Sequence, residues 1–378
     1  MHPKYASLYT FVFALLGLAG IISIHGNNVS PVSAIFELLI FSSPVFLKLR
    51  FRRSSLAIAG CIAVYIFGSF ILAVMIRGAD IFDFLVIYKA LIYFLILLIF
   101  VDKKIFNKES ITKIFWLVAT MMAIKYSYTF GLAISDRPAL YRENNFELMF
   151  LALVFYLKFV IHNSTTWKEQ LIILLIFALS GSRSGILILF VVLFGIHFDK
   201  ISARRILVGL IVVAASGFLA YLIVMSRMSD QGIEGIDRLN FLSKFLDETN
   251  SWGFIDWMIG SNRITPLSEA TCTALSYYSE LFSYSGDSSC YSVVFHSFIL
   301  RAIFDHGAIG VLFMVWFIYW ILQTSIFSRK DALIVIAIAL LNGFSVSSIN
   351  SYFFTMALML YISFDNRNLE RIDKNCVF

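Results

Sequence analysis

The stretch Ile172-Ile173-Leu174-Leu175-Ile176-Phe177-Ala178-Leu179-Ser180-Gly181-Ser182-Arg183-Ser184-Gly185-Ile186-Leu187-Ile188-Leu189-Phe190 decides how the rest of the chain is read. Two apolar runs, 169–180 and 184–198, meet at a break rich in glycine and serine, which frees backbone groups for other partners. Arg183 stands inside that break with about ten nearly uncharged residues on either side. A charge at such a depth costs roughly 2.5 to 3.5 kcal/mol on insertion scales and is normally retained for a partner or an anionic ligand. The segment therefore reads as a helical hairpin in a bilayer, its arginine-bearing tip at or below the membrane surface.

Composition agrees. Of 378 residues, 60% are apolar and 14% charged, and the mean hydropathy is +0.84; such values imply many bilayer spans and leave no room for a soluble domain of ordinary size. Apolar runs able to cross about 30 Å of hydrocarbon fall near 8–25, 31–48, 54–76, 81–101, 112–134, 146–162, 169–180, 184–198, 206–226, 307–327, 332–346 and 352–365. The expected architecture is an all-α polytopic integral membrane protein of about twelve transmembrane helices with one long outer loop. It divides into N-terminal helices (1–134), central helices with the hairpin at 180–185 (135–226), an outer loop or cap (227–306) and C-terminal helices with a tail (307–378). The first run has a weak basic start at Lys4 and is followed by further spans, which reads as a retained start-transfer helix.

The net charge of +6 does not point to nucleic acid, because Lys and Arg fall in short clusters between apolar runs. Those clusters are Lys48 to Arg53, Lys103-Lys104 with Lys108 and Lys113, Lys200 with Arg204 and Arg205, Arg329-Lys330, and Arg367, Arg371 and Lys374. All lie on one side when the spans alternate, so both termini are expected in the cytoplasm. The opposite side carries Arg77, Arg137, Arg142, Arg183, Arg227, Arg238, Arg263 and Arg301 against the single Lys244. A topology signal alone uses either residue, whereas forked guanidinium donors suit bidentate contact with phosphate. The bias favours an anionic ligand at the outer face; arginines resting at headgroup phosphates are the alternative.

No phosphate-cradling loop, HExxH, nucleophile elbow or paired CxxC occurs, and no cysteine has metal-ligand spacing. Cys272 and Cys290 both lie in the outer loop, as a disulfide pair or as two unpaired small apolar residues. Three outer segments carry ionisable groups: Arg137 to Phe146 with Arg142 and Glu143, the hairpin with Arg183, and His296 to Gly310 with Arg301. On a helix, His296, Leu300 and Ile303 share one face, which would set His296 at the bilayer surface, either as a proton acceptor near working pH or as an interfacial histidine bonded to backbone. His306 adjoins Asp305 and a helix start and reads as a cap. Arg238 opens a helical segment ahead of the turn-like Met258 to Asn262, and alone reads as a solvated charge.

In this order and sidedness the segments resemble the O-antigen polymerase and ligase superfamily of bacterial inner membranes. The resemblance is carried by Leu179-Ser180-Gly181-Ser182-Arg183-Ser184-Gly185, by Arg238 with the later Ile259-Gly260-Ser261, and by His296-Ser297-Phe298-Ile299-Leu300 with Gly307-Ala308-Ile309-Gly310. Ala139-Leu140-Tyr141-Arg142-Glu143 resembles the polymerase branch. Ser297, where the family often has Asn, and Asn144-Asn145, where Pro-Asn or Glu-Pro is common, depart from the pattern. The likeness spans about 135–350. It implies a GT-C-like fold in the inner membrane and a periplasmic active site that needs neither metal nor cofactor.

It also implies an undecaprenyl-diphosphate-linked oligosaccharide as donor, a lipid environment, and a flippase and chain-length regulator as partners. Arg183 and Arg238 would bind the diphosphate, with Arg137, Arg142 and Arg301 as further substrate contacts. His296 or Glu143 would act as general base for the attacking sugar hydroxyl in an inverting transfer. A ligase acting on lipid A core is the near alternative. A transporter, suggested by Glu37, Asp83, Lys89 and Lys125 in or near spans, is the distant one. Glu37 and Lys125 otherwise read as a structural ion pair or as snorkelling ends.

Overall fold

A computed structural model describes residues 2–23, 31–47, 49, 51–135, 137–197 and 237–365. Among them the chain is helical, with one isolated bridge between Phe106 and Phe364. The helices are α1 (His2–Ile22), α2 (Val32–Phe41), α3 (Ser43–Phe46), α4 (Arg53–Phe70, with a π-helical extension Ile71–Ile76), α5 (Ile81–Ile87), α6 (Lys89–Phe100), α7 (Lys108–Gly131) and α8 (Asn144–His162). They continue with α9 (Trp167–Leu179), α10 (Arg183–His197), α11 (Asp237–Thr249), α12 (Phe254–Ile259), α13 (Glu269–Ala274), α14 (Phe298–Gln323), α15 (Arg329–Gly343) and α16 (Tyr352–Ile362).

Helix occupies eleven of the twelve expected span ranges, and the run 206–226 lies outside the described residues. Among the described residues, four helices are long and apolar enough to cross a membrane (α1, α4 with its extension, α8 and α14), or five if α5 and α6, bent by 63°, form one span. The difference from about twelve is one of length. Helix α9 has 13 residues and α10 has 15, about 20 Å and 22 Å at 1.5 Å per residue. Each is too short to cross alone.

Sequence explains where the helices begin. At one end of the bundle, Asn107 accepts from the Ser110 amide at 2.8 Å to start α7. Capping boxes Thr166/Glu169 and Ser328/Asp331 start α9 and α15 at the same end. At the other end, Ser297 starts α14 and Ser351 starts α16. Helix α8 sits in the middle, packed by α7, α10, α15 and α16, and 83% of its span window is buried. Its side chains meet an aromatic cluster in which Phe13 stacks on Phe150 at 4.9 Å and Phe36 on Tyr352 at 5.3 Å. Buried Lys158 pairs with Glu169 at 2.6 Å beneath it.

The ionisable residues of the transporter alternative all have structural contacts. Glu37 pairs with Lys89, not with Lys125. Lys125 donates to the Ser23 carbonyl and the Tyr128 hydroxyl. Asp83 accepts from Ser283 at 2.6 Å and from the Tyr284 amide at 3.3 Å, which ties the segment around 283 to α5.

Residues 237–306 form a cap with a small core of its own, built from Phe241, Phe245, Leu267, Leu275 and Phe295 against Phe304 of α14. A disulfide joins Cys272 to Cys290 inside it. The cap docks through two glycines. Gly307, at φ +65°, interrupts α14, and a side chain there would run into the carbonyl of Met258 and the amide of Gly260. The break falls where the sequence expects a short run to hand over to a span.

Candidate functional site

The hairpin turns at Gly181 (φ +60°) and restarts at Arg183. Its shape is set by α8. The Asn144 side-chain amide donates to the Ser180 carbonyl at 2.9 Å, and the hydroxyls of Ser182 and Ser184 donate to Asn145 Oδ1 at 2.6 and 3.3 Å. Ser182 Oγ also accepts from the Gly185 amide at 3.0 Å, capping α10. Gly185 lets α10 approach closely, because a Cβ there would meet Leu148 at 2.9 Å. Arg183 is half-buried on this ledge, one residue beyond the Ser182 cap.

The same ledge continues into the loop after α15. The Asn342 amide donates to the Asn145 carbonyl at 3.4 Å, and the Asn342 carbonyl accepts from the amides of Ser345 and Val346, both at 2.9 Å. From this loop three candidate residues are held at once. Arg238 donates to the Ser345 hydroxyl. Arg301 donates to the Ser347 hydroxyl at 2.6 Å, and that hydroxyl donates to the His296 carbonyl at 3.1 Å. A chain of hydrogen bonds thus runs from the Arg183 hairpin through Asn145 and Asn342 to Arg238, His296 and Arg301.

The placement of His296 corrects the helical reading. It lies just before the Ser297 cap rather than on α14, with φ at +55°, a conformation that is costly for a non-glycine residue. Its ring sits 5.2 Å from Tyr278 and 5.5 Å from Phe241, in an aromatic slot formed by the cap. His306 does not cap a helix. It is buried within α14, its Nδ1 2.9 Å from the Tyr65 hydroxyl.

Arg301 is buried, its guanidinium engaged by Ser347 and, at 3.5 Å, by the Val86 carbonyl, so it braces the loop from below. Arg142 is exposed and donates to Ser33 of α2, away from the hairpin. Arg137 is exposed on the same loop. Glu143 is the residue before α8 and precedes the two asparagines that hold the hairpin. Its side chain reaches solvent, yet the surrounding protein raises its carboxyl above the ordinary range; Asn145, Arg137 and Arg142 pull the other way.

Sequence reasoning missed Glu147. It is buried one turn into α8 and accepts the amides of Leu140, Tyr141 and Arg142, each at 2.7 Å. This carboxylate folds the loop that carries Arg142 and Glu143. An acidic residue in the first turn of a helix was the available signal. Asn145, Asn342 and Ser345 to Ser348 were missed as well; only the polarity of Asn342 between apolar runs hints at it. Among the described residues no group of three His, Cys, Asp or Glu side chains is arranged to hold a metal ion. Compared with known proteins, the chain matches no family and no curated sequence.

Proposed function

We propose that this protein is a surface-polysaccharide polymerase of the bacterial inner membrane, moving a glycan from undecaprenyl diphosphate onto a lipid-linked repeat unit at the periplasmic face. The observation that carries the reading is the continuous hydrogen-bonded ledge that joins the Arg183 hairpin to Arg238, His296 and Arg301. Residues from three distant parts of the sequence, around 183, 238 and 296–301, each singled out by the family resemblance, are joined at one end of the bundle.

The chemistry follows from charge. As the glycosidic bond to the carrier breaks, negative charge builds on the departing diphosphate. The guanidinium of Arg238, held by Ser345, and that of Arg183, carried on a hairpin whose backbone the serine and asparagine contacts fix, offset that charge. The acceptor hydroxyl loses its proton as it attacks the anomeric carbon from the opposite side, and the base is His296 or Glu143. The aromatic slot of Tyr278 and Phe241 fixes the His296 ring. The raised carboxyl of Glu143 strengthens it as a base. Arg301 acts by positioning Ser347 and the backbone of His296. The short hairpin keeps the arginine near the boundary where a polyprenyl tail leaves lipid.

The test is glycan profiling of a deletion strain complemented with variants. Arg183→Ala is expected to lower chain extension by about 10² to 10³, leaving single capped units while membrane insertion is unchanged. Arg183→Lys fails too if the contact is bidentate. Long chains stranded on the carrier would instead identify a ligase, and full extension by Arg183→Ala would overturn the proposal.

A further inference from the structure

Away from the serine and arginine ledge, α4, α6 and α14 enclose a slot of about 260 Å³ lined by Cys61, Ile62, Leu91, Ile309, Phe313 and Met314. It opens toward the apolar rim of the bundle, where Cys61, Val64, Ile309 and Leu312 are exposed. One end is polar. There the Tyr65 hydroxyl meets His306, and the Arg263 guanidinium lies 5.0 Å from the centre of the Tyr65 ring.

The backbone that delivers Arg263 is strained. Arg263 and Ile264 have φ of +53° and +50° in succession, a conformation that costs non-glycine residues about 1 kcal/mol or more each. Arg77 holds it by donating to the carbonyls of Asn262 and Arg263, and the Ser261 amide donates to Phe304 at 2.6 Å. The Arg263 side chain itself makes one long bond, 3.4 Å to the Ile259 carbonyl, and among the described residues no carboxylate pairs with it or with Arg77. Strain is retained here to aim a positive charge at the mouth of an apolar slot.

We infer that this slot is a binding site for an anionic phospholipid, one acyl chain lying between α4 and α14 and the phosphodiester on Arg263. The complement of an apolar slot capped by a cation that no carboxylate among the described residues neutralises is an anion with a hydrocarbon tail. A single guanidinium facing the slot, with Arg77 engaged by carbonyls, matches one phosphodiester charge rather than a diphosphate. The inference rests on the bundle being embedded in a membrane and is independent of the polymerase reading.

The experiment uses the full chain in nanodiscs containing phosphatidylglycerol with a photoactivatable acyl chain, followed by peptide mapping. Crosslinks are expected to concentrate around Ile62 and around Phe313 and Met314, and to fall about tenfold in Arg263→Gln, the scale of one charge-assisted hydrogen bond. Cys61→Trp, which fills the slot from its exposed side, is expected to reduce them while leaving the labelling of Val64 and Phe67 intact. Equal labelling of the slot by a phosphatidylcholine analogue, or indifference to Arg263→Gln, would overturn the inference. So would displacement by polyprenyl diphosphate but not by unlabelled phosphatidylglycerol. Failure of the membrane reading looks different: the outward residues Val64 and Phe67 would then also go unlabelled.

Discussion

Helices α4 and α8 make opposite use of apolar sequence. The α4 span, with its π-helical end, has a mean hydropathy of 2.4 and is 17% buried; α8 has 1.5 and is 83% buried. The greasier helix is the peripheral one. In water this ordering would be perverse, but a lipid-facing surface gains nothing from polarity, and only an interior helix can satisfy polar groups. Helix α8 accordingly carries Asn144, Asn145, Glu147 and Lys158, all buried and all bonded, whereas α4 exposes Val64, Phe67 and Met75. The lower hydropathy of α8 reflects its role as organiser of the ledge.

Removing polar groups from α8 breaks this contrast most strongly. Glu147→Ala leaves the buried amides of Leu140 and Tyr141 unmet, each worth about 1 to 3 kcal/mol, so a loss of about 2 to 6 kcal/mol is expected in detergent unfolding; Glu147→Gln should recover part of it. Lys158→Met strands the Glu169 carboxylate and should cost about 3 to 5 kcal/mol, while the double change Lys158→Met with Glu169→Met should recover most of that. A double variant as unstable as the two single changes added together would show that the pair is not coupled.

Glu143, at the solvent edge of α8, gives a smaller, pH-dependent effect. Its pKa is raised by burial, so the protonated form is favoured in the folded state. The associated stability is present in acid and lost as pH rises through the raised value. Relative to Glu143→Gln, the wild type is therefore expected to lose stability as pH rises above the ordinary carboxylate range; parallel unfolding midpoints would contradict this. Smallest of all, Val64→Ala and Phe67→Leu on α4 should change stability by no more than about 0.5 kcal/mol. A larger loss would mean that another surface covers α4.

Hydropathy made the helices legible because backbone groups in hydrocarbon must be satisfied within the segment, and the Gly307 break and the Gly181 turn announced themselves by residue type. Lengths were less legible: the stretch 31–48 appeared continuous yet divides into α2 and α3, and the bend at Tyr88 has no proline or glycine to mark it. Within the site, individual residues could be marked but not their contacts. Glu37 finds Lys89 across 52 positions, and Asn145 finds Asn342 across 197, distances no helical periodicity encodes. His296 reads as part of a helical face because the residues after it are helical, but the Ser297 cap starts that helix just beyond it.

The Tyr9 hydroxyl donates to the Met356 carbonyl at 3.2 Å, and the Ile105 amide donates to Ser363 at 2.8 Å. Helix α1 is thus tied to α16 across 347 positions of the chain. Until α16 has been synthesised, the aromatic face of α2 lacks Tyr352 and Phe353, so closure of the bundle is a late, long-range event. Nascent chains stopped before Tyr352 should stay open to protease between α1 and α7, and the cell must hold such half-made molecules in a competent state for the whole of translation.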